Sequence, residues 1–165
     1  MNAVISLIRD RRAAAAAEMA LVMPLLILIM FASFEMGNFF WDAHIADKAV
    51  RDGARFAARQ SFADMPCGGT PTNLLAIQEL TRTGQTNGGI PPRIYGWATG
   101  HVTVTVTCDT ANSYSNAGIY QGLTGGSRRV TVAAAIPYPS LFKFVGINTT
   151  GMTINAQSEA AVMGI

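Results

Sequence analysis

The chain has 165 residues, of which 50% are hydrophobic and only 13% charged, with a formal net charge of +2. That charge fraction is about half the usual soluble value, which disfavours a wholly cytosolic enzyme, and the length suits one membrane segment plus one small domain. Arg9, Asp10, Arg11 and Arg12 already sum to +2, so the remainder is neutral and lacks the basic balance of a nucleic-acid binder.

In chain order, residues 1–13 form a short basic leader. From Ala13 to Phe34 the only charge is Glu18, and about 22 such residues make a helix of roughly 33 Å, close to the hydrocarbon thickness of a bilayer. The arginines before it predict that the N-terminus stays on the cytoplasmic side and that Trp41 onward lies outside. Pro24 removes one backbone bond and is expected to kink the helix rather than end it, because freed backbone groups find no water in lipid. Past the apolar run the helical pattern continues to about Gln60. Ile45, Ala46, Ala49, Val50, Gly53, Phe56 and Ala57 share one side. Asp47–Arg51 and Lys48–Asp52 form i,i+4 charge pairs on another. Phe39, Phe40 and Trp41 mark the headgroup zone. One long helix over 14–62 is therefore expected, its membrane part at about 14–40 and its amphipathic part at about 41–62.

The rest, 63–165, reads as an exported, loop-rich domain. Thr72–Arg82 is predicted as a short helix and 84–100, rich in Gly and Pro, as loop. Three segments then alternate with period two: Val102–Cys108, Val130–Ile136 and Met152–Val162. These are half-buried strands. The expected fold is α+β, with the amphipathic helix half covering the apolar face of a small three-stranded antiparallel sheet. Cys67 and Cys108 are the only cysteines. In an oxidising compartment an even count suits one disulfide, and closing a loop of roughly 42 residues stabilises by about 4 kcal/mol on the chain-entropy view.

The residues that catalysis would need do not converge in the sequence. His44 and His101 are far apart and lack metal-binding spacing, no Cys/His cluster exists, and the Gly-Gly pairs read as turns. Neither catalytic residues, a metal site, a cofactor, nor a small-molecule substrate is expected. Two carboxylates stand out instead. Glu18 inside the apolar run costs a few kcal/mol on insertion scales, so it needs either a positive partner or solvation at the lipid edge. Glu35 lies near the outer boundary, where solvation competes with a specific partner. The stretch Leu141-Phe142-Lys143-Phe144-Val145 has two readings, as filler at the end of the sheet's core or as a partner- or membrane-facing patch.

The string Arg12-Ala-Ala-Ala-Ala-Ala-Glu18-Met-Ala-Leu-Val-Met-Pro24, with Glu35-Met-Gly37 and Ala49-Val-Arg-Asp-Gly-Ala-Arg-Phe-Ala-Ala58, resembles the opening of TadE-like pseudopilins of the tight-adherence (Flp) type IV pilus system. The likeness covers about residues 11–58. It implies a class III leader cut by a prepilin peptidase between Ala13 and Ala14, which makes Glu18 the fifth residue of the mature chain. It further implies that Glu18 neutralises the new α-ammonium of a neighbouring subunit during assembly. Two positions depart from the family pattern: Ala13 stands where Gly usually precedes the cut, and Met19 where an aromatic residue usually follows the glutamate. The resemblance implies a non-catalytic minor pseudopilin, single-pass in a bacterial inner membrane with its C-terminal domain periplasmic. Its partners would be the membrane, the peptidase and other pilins. The alternative is an uncleaved, membrane-anchored scaffold or binding protein of an export machine.

Overall fold

The computed structural model describes residues 11–111, 114–145 and 151–165; most of the leader call, residues 1–10, lies outside them. The chain divides after Asn38 into two compact units. Helix α1, Arg11–Ala58, begins in the first and ends in the second, and it runs unbroken through Pro24. In the first unit every described side chain from Ala14 to Phe34 is exposed, including Leu21, Leu28 and Phe34. The Ser33 hydroxyl returns to the Ile29 carbonyl at 2.8 Å, so even this polar group is satisfied within the helix.

The second unit, from Phe39 onward, is built on a sheet. Strands β1 (Val102–Asp109), β2 (Ser127–Pro137) and β3 (Thr153–Ala161) lie in the order β1-β2-β3. Both pairings are antiparallel, with Val104 opposite Val132, Val106 opposite Val130, and Ile136 opposite Ile154. Because side chains alternate along a strand, these pairings place Val102, Val106, Val130, Val132, Ala134, Ile136, Ile154 and Ala156 in one buried layer. Thr103, Thr105, Gln157 and Glu159 face solvent. The period-two reading of the sequence describes this sheet. Its one departure is Met152, which is exposed just before β3 rather than part of the buried row.

The cover of the apolar layer is the second half of α1. Ala46, Ala49, Val50, Ala54, Ala57 and Ala58 are buried in the same cluster as the strand residues. Their spacing of three and four makes a single helical stripe. The stripe is nearly all small residues, which lets the helix backbone approach its neighbours closely. Ile45 and Phe56, expected on this side, are half-buried and pack against the cluster. The closest approach is at Gly53. A Cβ there would run into Oγ1 of Thr81 and stand 3.5 Å from Cγ1 of Val132, so α1 meets both the sheet and the next helix at one residue.

That next helix, α2, spans Leu74–Thr83 instead of the expected Thr72–Arg82. Asn73 precedes it, with its side-chain amide donating to Oε1 of Gln60 at 2.9 Å. Gly84 ends it in the left-handed conformation, its amide donating to the Leu80 carbonyl at 2.8 Å, an arrangement that glycine adopts without a Cβ penalty. Ile77 and Thr81 are its buried face. The Gly- and Pro-rich stretch that follows carries only a short 3-10 turn at Thr99–His101. It nevertheless buries Ile94 and Trp97 in the core, which its composition does not announce.

Two devices fasten the segment after α1 to the far end of the sheet. Cys67 and Cys108 form the expected disulfide. Beside it the Arg128 guanidinium donates to three backbone carbonyls: Phe62, Met65 at 3.0 Å and Thr124 at 3.1 Å. It also lies over the Phe62 ring, 5.5 Å from its centre. Gly125, at φ +94°, leaves room for the disulfide, since a Cβ there would strike Cys67 Sγ.

Two stability outcomes follow from this packing. Gly53→Ala gains helix propensity worth roughly 1 kcal/mol but overpacks a closed contact at a cost of typically 1–3 kcal/mol. A net loss of about 1 kcal/mol is expected in thermal or urea unfolding, and adding Thr81→Ala should recover part of it. Arg128→Ala strands carbonyls that have no other partner of comparable strength, so a loss of about 3 kcal/mol is expected. Arg128→Lys should restore little of it, because an ammonium cannot span three acceptors in the guanidinium's planar fork.

Candidate functional site: an exposed apolar helix with a single acid

The first unit is a helix whose apolar side chains have no cover within the described residues. As a span it qualifies by length and composition, with a mean hydropathy of 2.3 and none of that window buried. Apolar surface of this extent is stable only against lipid or against other helices. Helical geometry sets Glu18 one turn after Ala14, on the same side of the helix. Both residues are exposed. Among the described residues the ion pairs are Arg82–Glu79, Arg93–Asp52 and Arg129–Glu159, and none of them includes Glu18.

The expected cut between Ala13 and Ala14 falls within α1. Glu35 is half-buried at the end of the exposed run.

The remaining sequence-derived residues are spread over the second unit. Leu141 opens a 3-10 turn, Leu141–Val145, and is 44% exposed. Phe142 is half-buried, with its amide donating to Ser140 Oγ at 3.1 Å. The Phe144 side chain lies outside the described residues. His44 is exposed on α1. His101 closes a turn, its Nδ1 accepting from the Ala98 amide at 3.1 Å. Among the described residues no three His, Cys, Asp or Glu converge on a metal position. A cavity of about 330 Å³ lies at the disulfide end, lined by Asp109, Tyr114, Tyr120, Arg128 and Arg129 among others. Its two cations are engaged, Arg128 by carbonyls and Arg129 by Glu159 at 3.4 Å.

Family comparison bears on the helix. Residues 13–55 match the family model described as TadE-like protein. Over this segment the chain is TadE-like. The match begins at Ala13 and ends on the amphipathic half of α1. It therefore takes in Glu18, Glu35 and Gly53 and leaves the sheet outside. No curated protein and no solved structure matches the chain.

Two residues that matter to the second unit escaped the sequence reading. Arg128 had a usable signal, since it shares the inward parity of Val130 and Val132 on β2. An arginine on an apolar row must find acceptors. Asp42 had none: it follows the aromatic group on α1 and looks like the start of the solvated helix. It is only 9% exposed, and burial pushes its carboxyl above the ordinary value of 3.8. A raised folded-state pKa means that the native state binds the proton more tightly than the unfolded chain does. The contribution of Asp42 is thus most favourable below the unfolded value and is lost as pH rises through the folded one. Asp42→Asn should therefore raise the melting temperature at pH 7, and that advantage should fade as the pH approaches 3.8.

Proposed function

We propose that this protein is a non-catalytic minor pseudopilin that helps initiate or assemble a Tad (Flp) pilus. In this reading a prepilin peptidase removes residues 1–13, Ala14 becomes the new N-terminus, and the chain stays single-pass in a bacterial inner membrane with its C-terminal domain in the periplasm. Its three parts are then the leader, the long helix, and the loop-rich domain from about residue 63. Glu18 meets the α-ammonium of a neighbouring subunit in low dielectric, where an opposite charge attracts far more strongly than in water.

The observation that carries the reading is the lone carboxylate on an exposed apolar helix, one turn from Ala14, inside the TadE-like segment. A carboxylate on such a surface is costly until assembly supplies a cation, so it favours the paired state over the solitary one. The disulfide suits the export of the second unit to an oxidising compartment and so supports this reading. The competing reading, an uncleaved membrane-anchored scaffold of an export machine, rests on Ala13 at the position where the family usually has Gly.

Expression beside the cognate prepilin peptidase, followed by N-terminal sequencing, separates the two. A mature start at Ala14 is expected, whereas retention of Met1 would favour the anchor. In cells that make the pilus, Glu18→Ala should lower recovery of the protein with the major pilin by at least about tenfold, on a loss of roughly 1.4 kcal/mol per decade. Undiminished recovery would remove the assembly role of Glu18.

A further inference from the structure

The two edges of the sheet are finished differently. Along β1, backbone groups that turn away from β2 are met by other parts of the second unit. The Gly68 amide donates to the Val106 carbonyl at 3.4 Å, and Gln78 Nε2 donates to the Val102 carbonyl at 2.9 Å. Cys108 on the same strand is bonded to Cys67, and α2 packs beside it. Along β3 no such cover exists among the described residues. The Tyr138 amide donates to the Met152 carbonyl and the Val162 amide to the Arg128 carbonyl, each at 2.9 Å. These bonds flank β3 and both involve even-numbered residues on its side. Alternation along an antiparallel pair therefore gives the backbone groups of Ile154, Ala156, Ser158 and Ala160 to β2. Those of Thr153, Asn155, Gln157, Glu159 and Ala161 point away from the sheet. All five residues are exposed, and among the described residues no backbone partner meets them on that side.

Proteins ordinarily blunt a free edge with lysine, proline, a bulge or a covering element. β3 is nine residues long and has neither lysine nor proline, and its register with β2 is one-to-one without a bulge. Its single charge, Glu159, is held by its own sheet, with Arg129 Nη1 at 3.4 Å and the Thr131 hydroxyl donating at 3.2 Å. The exposed row is self-complementary when it is laid antiparallel on a copy of itself about Gln157. Gln157 then faces the copy's Gln157, Asn155 faces Glu159, and Thr153 faces Ala161. An amide opposite a carboxylate sets a donor against an acceptor, and symmetry does so twice. In this register all five outward residues form hydrogen-bonded pairs. A slip of two residues leaves one of them unpaired on each strand, and the slip that faces Glu159 with Glu159 sets like charges together. About Gln157 the two carboxylates stand roughly 13 Å apart, beyond a Debye length of about 8 Å.

We propose that β3 pairs antiparallel with β3 of a second copy of this chain, about a twofold axis through Gln157, so that two sheets join into one. Main-chain bonds supply the attachment and the exposed row sets the register. The inner row supports the same pairing. Ile154 and Ala156 are buried, whereas Ser158 and Ala160 are only half-buried. The twofold lays Ser158 beside the copy's Ala156 and Ala160 beside its Ile154, which extends the apolar layer across the junction. The contact lies wholly within the second unit. It depends neither on the span, nor on the cut after Ala13, nor on the role of Glu18.

The test uses the full chain in micelles of a neutral detergent. Chains carrying Thr153→Cys and chains carrying Ala161→Cys are spin-labelled once the native disulfide has closed. Each alone should give label pairs about 26 Å apart, eight residues along a strand. An equal mixture should add a separation within about 15 Å, because position 153 of one copy meets position 161 of the other. Gln157→Lys should weaken dimerisation at least about tenfold in sedimentation, since it sets two ammonium groups face to face. An equal mixture with Gln157→Glu should restore the dimer, a rescue that a merely unfolded variant would not show. A chain that stays monomeric at every concentration overturns the proposal. So does a dimer whose labelled mixture shows no short separation, because another surface, such as the apolar helix, then holds it.

Discussion

The approach of α1 to the sheet at Gly53 is the constraint on which the second unit depends. A three-stranded meander has one apolar face and too little area to hold together alone. Its cover must come close enough to exclude water, and a stripe of alanines around one glycine allows that. The same smallness has a cost: alanine buries little apolar surface per residue. The larger side chains that fill the core come mostly from elsewhere, from Met65, Ile77, Trp97 and the strand valines. Close approach by the helix and bulk from the loops and strands are complementary solutions to one packing problem.

A short helical cover and a loop-rich connection leave backbone groups that need partners, and the far end of the domain meets that need with an arginine. Arg128 sits on the inward row of β2 opposite Cys108, next to the disulfide. Its two terminal nitrogens donate to carbonyls from two different loops. Covalent and charge-assisted fastening thus coincide where α1 ends. Both act on the chain after Ala58, which has no regular secondary structure until Leu74.

The helix carries two kinds of surface in succession. Up to Phe34 it is apolar all round and fully exposed, which suits lipid or other helices. Beyond Phe39 it is apolar on one stripe only, which suits a sheet. Glu18 belongs to the first kind and is the one residue there whose chemistry asks for a partner of opposite charge. It lies in the TadE-like segment, one turn from Ala14, and in the proposed function it is the group that meets a neighbour's α-ammonium.

The long helix, the three strands and the cysteine pair were legible because each rests on local pattern. A 3.6 period, a period of two and an even cysteine count in an oxidising context survive without knowledge of neighbours. Glu18 was legible for the same reason, as a charge out of place in its own stretch. Trp97, Asp42 and the role of Arg128 were not, because burial inside a Gly- and Pro-rich loop or at a helix flank is set by residues distant in sequence. Periodicity put Ile45 and Phe56 on the same helix side as the alanines, and packing left them half-buried while burying the alanines. The sequence by itself determined the elements, their inward faces and the place where a lone acid meets an apolar helix. Only the tertiary structure decided that Gly53 is the crossing point, that Arg128 closes the far end and that Tyr138 packs on Phe39. Those depend on which surfaces come within contact distance, and no local pattern encodes that.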